Sequence, residues 1–336
     1  MGESVMKIVC DDKIPFLRGV FEPFAQVCYL PGAKIGAEDV RDADALIIRT
    51  RTRVDESLLK GSSVKIVASA TIGFDHIDTD YCARAGVAWT NAPGCNASSV
   101  CQWFSSTLEY LAYRHQLCFP ELRLGIVGVG NVGSKVKAWA ESQGIHCLLC
   151  DPPKAALDAE GQYLSLEEVI EGSDVITLHV PLDKSTFHLF DEKIFRKMKP
   201  QQILVNSSRG EVVEEGALEQ ALSEGRILGA ALDVWEHEPR ISRRLIGMLD
   251  IATPHIAGYS TDGKAAGTQM AVRAVARKLG IAGREDWHIE RLPEAQEAEY
   301  DVLRDDKALR DAPEAFEDLR SNYLIRREAL YRKYQI

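Results

Sequence analysis

Three side chains stand just past apolar runs and have the types needed to take a proton off a hydroxyl while holding an anion. Arg209 lies in NSSRGEVV, Glu238 in ALDVWEHEP and His255 in TPHIAG. Arginine offers a planar fork that grips a carboxylate at two points and stays charged at every working pH. Histidine titrates near neutrality, and a neighbouring carboxylate raises its pKa and orients its ring. Hydride transfer from a secondary alcohol needs such a set: a base, a cation for the substrate anion, and a group that fixes the base's protonation state. Taken singly, each also reads as an ordinary loop residue.

A second pattern supplies the other reactant. Gly128-Val129-Gly130-Asn131-Val132-Gly133 follows an apolar run and opens a helix, the context in which G-x-G-x-x-G binds a dinucleotide. Gly128 permits the tight turn, Gly130 lets the backbone approach a pyrophosphate, and Gly133 allows close helix–strand packing. The helix N-terminus then offers free amides and a partial positive charge. Asp151, ending the next apolar run, suits both adenosine ribose hydroxyls and would repel a 2′-phosphate, which predicts NAD over NADP.

These groups need a frame. Apolar runs with little polar alternation predict strands at 7–10, 45–49, 64–70, 87–90, 122–129, 145–150, 175–180, 202–206, 228–234 and 251–253. Helical patterns fall at 98–114, 132–142, 166–171, 214–223 and 263–279. The alternation predicts α/β architecture with parallel sheets and right-handed crossovers. A first set of strands ends near residue 95 and a second near 254, and the helix at 263–279 is expected to return to the first set. The tail is charge-dense, with Phe316, Leu319, Tyr323 and Leu330 at helical spacing over 315–334. That stripe fits a helix laid on its own subunit or a dimerisation arm equally well.

Composition narrows the class. The chain has 336 residues, 46% hydrophobic and 27% charged, which suits a globular protein of two domains or more. A net charge of −10 disfavours nucleic acid and anionic membranes as partners. No run approaches a membrane span, and the first residues lack the apolar core of a signal peptide, so a cytoplasmic protein is expected. Met6 is a plausible original start. Of the eight cysteines, Cys147 and Cys150 form a C-x-x-C match, read as buried core thiols of a strand rather than a redox pair. His179, inside an apolar run, reads as a satisfied core group. No metal-ligand spacing is present, so no metal site is expected.

Five ordered segments, GIVGVGNVG with Asp151, DVITLHVPL, NSSRGEVV, ALDVWEHEP and TPHIAG, resemble the D-isomer-specific 2-hydroxyacid dehydrogenases. The resemblance spans about residues 6–283. It implies a Rossmann-type NAD-binding domain over 96–254 and a flavodoxin-like substrate domain over 6–95 and 255–283. It also implies Arg209, Glu238 and His255 as the catalytic set and NAD as cofactor. Cofactor contacts are implied at Gly128, Gly130, Asn131, Val132, Gly133, Asp151, Val180, Ser207, Ser208, Arg209, Asp233 and Gly258. Val180 stands where a hydroxyl residue is common.

ASATIGFDHID, NAPGCNA, LLCDPP, TPHIAGYSTDGKA and the tail segments YDVLRDDKALR and LRSNYLIRRE resemble one branch of that family. That branch acts on a small phosphorylated 2-hydroxy acid. The likeness implies substrate contacts at Thr50, Thr71, Tyr259 and Arg49, and a homodimer formed through residues 284–336, a segment shorter here than is usual. Arg49 and Arg53 flank Thr50 and suit a phosphate dianion, which needs charge-assisted bonds; both also read as an exposed strand end. Two other readings stand beside this one: a phosphoglycerate- or glyoxylate-type dehydrogenase, and a non-catalytic NAD-sensing co-repressor.

Overall fold

The computed structural model describes residues 6–158, 161–294 and 299–328. The chain divides into two compact units, Met1–Asn96 with Ser260–Glu294, and Ala97–Tyr259 with Ala295–Ile336. The return to the first unit thus begins at Ser260 rather than 255 and runs to Glu294, while the tail groups with the second unit.

In the first unit β1 (Lys7–Asp11), β2 (Gln26–Leu30), β3 (Ala45–Ile48), β4 (Ile66–Ser69) and β5 (Ala88–Thr90) form a parallel sheet in the order β2-β1-β3-β4-β5. That is the flavodoxin-like winding. Alternate residues face opposite cores. Ile8, Cys10, Ala45 and Ile47 meet Val272, Val275 and Ala276 of the helix Thr261–Leu279, while Val9, Leu46 and Ile48 meet Val40, Leu58 and Leu59. β2 is absent from the sequence expectations. It is a half-buried edge strand, with Val27 and Tyr29 turned to one core and Cys28 and Leu30 to the other, so it lacks the all-apolar run of a central strand.

The second unit carries β6 (Arg123–Val127), β7 (His146–Cys150), β8 (Val175–Leu178), β9 (Ile203–Asn206), β10 (Gly229–Leu232) and β11 (Ile251–Ala252). They pair in parallel in the order β11-β10-β9-β8-β6-β7, and a lone parallel bridge joins Leu149 of β7 to Tyr163. Counting that bridge as the vestige of a strand gives the 3-2-1-4-5-6 winding of a Rossmann sheet through β10, with β11 added at the far edge. Residues of β8, β9 and β10 are buried on both faces.

Cys150 is buried and Cys147 half-buried on β7, and burial pushes both thiols up to about 11. The tail differs from the single helix expected over 315–334. A helix Val302–Asp311 precedes it, the expected helix spans only Phe316–Ser321, and Leu330 lies outside the described residues. Val302, Leu309 and Phe316 are buried within the second unit, and Asp306 accepts the Ala252 N–H of β11 at 2.7 Å. Among the described residues no helix is long and apolar enough to cross a membrane.

Candidate active site

Three neighbouring strands of the second sheet, β9, β10 and β11, run at their carboxyl ends into Arg209, Glu238 and His255. Open parallel sheets bind ligands at that edge. A Cβ on Gly210 would stand 2.0 Å from the Trp235 carbonyl, so the Arg209 turn lies hard against the loop that leads to Glu238. Asn206 holds this turn by accepting from the Ser208 N–H and Oγ at 3.0 and 2.8 Å and donating to the Arg209 carbonyl at 2.9 Å. Arg209 is half-buried, with Nη1 donating to the Ser208 carbonyl at 2.7 Å.

His255 and Glu238 meet directly. Nδ1 lies 2.9 Å from Oε1 and 2.8 Å from Oε2. An ionised carboxylate only accepts, so Nδ1 carries the proton and Nε2 keeps its lone pair. None of the described residues bonds Nε2. His255 has φ +56°, a left-handed conformation that costs a non-glycine residue about 1–3 kcal/mol and persists only where its surroundings hold it.

The holding groups lie beneath it. The His255 N–H donates to the carbonyls of Asp233 and Thr253 at 2.7 and 3.1 Å. The buried Asp233 carboxylate accepts from the Ile256 and Ala257 N–H groups at 2.9 and 2.8 Å and from Thr253 Oγ1 at 2.6 Å. Trp103 Nε1 donates to the same hydroxyl at 3.1 Å. Burial raises the Asp233 carboxyl, which the neighbouring His255 and these bonds partly offset. Asp233, expected from the resemblance at the cofactor, thus also supports, through both carboxylate oxygens, the turn that carries His255.

Two arginines of the tail complete the surroundings, and sequence reasoning did not single them out. Arg326, 3% exposed, donates from Nη2 to the Ala257 and Ser99 carbonyls at 2.7 Å each and from Nη1 to Ile256 at 3.3 Å. Its guanidinium also lies 4.3 Å from the Tyr300 ring centroid. Arg320 Nη1 approaches Glu238 Oε2 to 3.7 Å, and Nη2 reaches the Tyr259 hydroxyl at 3.5 Å. Phe316, Arg320 and Tyr323 stand at helical spacing, and the cationic member of that stripe was the available signal. Burial pushes the Glu238 carboxyl up, but the His255 bond and charge, the Arg320 charge and the Trp235 N–H together bring it below the usual range.

The glycine turn follows β6. A Cβ on Gly128 would stand 2.6 Å from the His179 carbonyl oxygen and 2.9 Å from Val180 Cγ1, and one on Gly133 would stand 2.0 Å from the Gly128 carbonyl oxygen. A Cβ on Gly130 would meet nothing within 4 Å among the described residues, so the surface over the turn is open where the helix Asn131–Ser142 begins. Ser207 Oγ is buried with no hydrogen-bond partner among the described residues, a polar atom available to a ligand. Asp151 accepts the Val129 N–H at 2.8 Å and the Lys154 N–H at 3.1 Å, so it also ties the glycine turn to the start of the next helix. Open backbone, free helix amides, an orphan hydroxyl and a strand-end carboxylate fit a dinucleotide. His179 is buried with Nε2 3.0 Å from Thr177 Oγ1, and burial pulls its pKa down to about 3.

In the first unit the substrate residues expected from the resemblance follow β3 and β4, which are neighbours. Arg49 forks onto the buried Asp11 through Nε and Nη2, both at 3.1 Å. Arg53 pairs with Asp55 at 2.8 Å, its side chain 86% exposed. Thr50 is exposed, and Thr71 Oγ1 lies 2.8 Å from Ser69 Oγ.

Fold and site define a dinucleotide-binding α/β protein with a base–carboxylate pair at its sheet edge. Residues 109–257 match the family model described as D-isomer specific 2-hydroxyacid dehydrogenase, NAD binding domain. The chain is 47% identical over 340 residues to an erythronate-4-phosphate dehydrogenase of Bacteroides fragilis, covering 96% of this chain and 97% of that one. An erythronate-4-phosphate dehydrogenase of Escherichia coli is 42% identical over 351 residues, covering 96% and 92%. Among solved structures, a D-lactate dehydrogenase from Aquifex aeolicus, complexed with NAD and lactic acid, superposes with a TM-score of 0.69 at 26% identity. That match covers 86% of this chain and all of the other. The chain belongs to the D-isomer specific 2-hydroxyacid dehydrogenase family. It is an NAD-dependent oxidoreductase.

Proposed function

We propose that the protein oxidises 4-phospho-D-erythronate at C2 to (R)-3-hydroxy-2-oxo-4-phosphooxybutanoate, with NAD as cofactor, on the route to pyridoxal 5′-phosphate. The relatives named above supply the substrate. The observation that carries the chemistry is the His255–Glu238 pair, Nδ1 to carboxylate at 2.8 Å, at the same strand edge as Arg209. When bound, the nicotinamide ring accepts the hydride that leaves C2.

The roles follow from the side chains. His255 Nε2 takes the C2 hydroxyl proton as the C–O bond becomes C=O. Glu238 holds the ring in the tautomer that leaves Nε2 basic and stabilises the imidazolium that forms. Arg209 grips the substrate carboxylate and polarises the C2 oxygen. In the reductive direction His255 returns the proton to the carbonyl oxygen.

On this reading the first unit is the substrate domain, with Thr50, Thr71 and Arg49 as substrate contacts, joined by Tyr259. The second unit is the NAD-binding domain, with the turn at 128–133, Asp151, Val180, Ser207, Ser208, Asp233 and Gly258 about the cofactor. The proposal includes a cytoplasmic homodimer formed through residues 284–336, which sedimentation of the full chain tests.

A substrate panel followed by NADH fluorescence tests the activity. 4-Phosphoerythronate is expected to exceed 3-phosphoglycerate and glycolate in kcat/KM, and His255→Asn to lower kcat about 100-fold or more. A panel won by 3-phosphoglycerate would assign the rival dehydrogenase, and tight NADH binding without turnover would assign the co-repressor.

A further inference from the structure

Beside Glu238, approaching the same carboxylate oxygen that meets His255, stands a charged group from the far end of the chain. Arg320 belongs to the short helix Phe316–Ser321, whose Phe316 is buried in the second unit's core. Its guanidinium carbon lies 5.6 Å from the Phe316 ring centroid and 5.9 Å from that of Tyr259, so two aromatic faces fix its direction. From that position Nη1 is 3.7 Å from Glu238 Oε2 and 3.3 Å from Glu317 Oε1. The side chain is 18% exposed, and its Nε is buried without a partner among the described residues. A guanidinium held that firmly, with one edge unsatisfied, is placed by its packing rather than by a surface ion pair.

We propose that Arg320 is a positioning residue for the base, orienting the Glu238 carboxylate against the His255 ring from the chain's own C-terminal segment. Glu238 needs such a partner because it is largely buried beside a histidine whose charge changes in every turnover. With His255 neutral, Arg320 is the cation that faces the carboxylate. With His255 protonated, Arg320 keeps the ion pair from over-stabilising the imidazolium, so the proton can leave. The charged and titratable groups about the pair are His255 and Asp233 beneath the turn, Tyr259 beyond it, and Arg320 and Glu317 on the helix. Of these only Arg320 is a permanent cation.

The inference rests on the reading of His255 as the base, and its test is read without substrate. The His255 ring resonance of the full chain is titrated by NMR in the parent, Arg320→Gln and Arg320→Lys, with His255→Asn identifying the signal. Removing the cation is expected to raise the His255 midpoint by about half to one pH unit, while lysine stays near the parent. The acid limb of kcat/KM should move by the same amount. Equal midpoints in the parent and Arg320→Gln, or a lysine variant shifted as far as glutamine, would overturn the proposal. If Arg320→Gln does not fold, Glu317→Gln carries the test, since removing that anion is expected to lower the midpoint and an unmoved midpoint rejects the role. Absence of turnover by the parent would sink the activity proposal alone, because the titration still decides Arg320.

Discussion

Arg326 donates to the carbonyl oxygen of Ala257 at 2.7 Å, two residues past His255. The same guanidinium bonds the carbonyls of Ile256 and Ser99. A positive charge this deeply buried is tolerable because carbonyl dipoles, the Tyr300 face and the anionic Asp305 nearby replace the water it has lost. The turn carrying His255 is thus gripped from two sides, by the Asp233 carboxylate on its N–H groups and by Arg326 on its carbonyls.

Replacing Arg326 by Met should therefore leave buried carbonyls unpaired. A loss of about 3 kcal/mol is expected, since buried unsatisfied groups cost about 1–3 kcal/mol each and relaxation returns part. Urea unfolding measures it. Arg326→Lys should recover only some of the loss, because an ammonium cannot reach several carbonyls with the spread of a fork. An unchanged unfolding midpoint in the Met variant would show that the turn does not depend on this side chain.

Two glycines of the phosphate turn should separate fold from binding. Gly133→Ala drives a methyl to 2.0 Å from a backbone oxygen that cannot swing aside, so the variant is expected to lose thermal stability and NADH affinity together. Gly130→Ala adds a methyl in open space. Its melting temperature should match the parent's while NADH binding by calorimetry weakens about 10-fold or more, because the methyl occupies the approach to the pyrophosphate. Undiminished NADH affinity in Gly130→Ala would place the dinucleotide elsewhere.

The depressed Glu238 carboxyl has a consequence for stability. A carboxyl whose folded pKa lies below its unfolded value of 4.5 contributes stability that is complete above that pH and is lost as pH falls through the folded value. The parent should accordingly exceed Glu238→Gln in unfolding free energy at neutral pH, with the gap closing as the pH is lowered below 4.5. Chemical unfolding at a series of pH values reads the gap, and a gap that persists unchanged in acid would remove the ionic contribution.

Much of this site was legible from order along the chain. Arg209, Glu238 and His255 each follow a buried strand, and parallel strands deliver their carboxyl ends to one edge whatever the loops do. Gly128 and Gly133 were legible for a similar reason: where a Cβ would strike a backbone carbonyl, only glycine serves. Asp233 shows the boundary. The resemblance implies a cofactor contact there, and the structure adds a second role that spacing does not carry, since its carboxylate accepts from Ile256, Ala257 and Thr253 beneath the His255 turn. β2 was missed because a half-buried edge strand does not carry the uninterrupted apolar run of β8 or β9.

Local spacing carried the strand–helix alternation, the phosphate turn and the chemical types of the reacting side chains, since each follows from the periods and backbone preferences of neighbouring residues. Which groups stand behind the base was settled by packing. Arg320 and Arg326 belong to a charge-dense tail whose pattern fits a solvated helix or an arm equally well, and packing within the second unit, with Phe316 and Arg326 itself buried, brings them to Glu238 and to the His255 turn. Hydrogen bonds and ion pairs between distant segments depend on where a shared core places both partners, and that placement has no signature in the spacing of either segment.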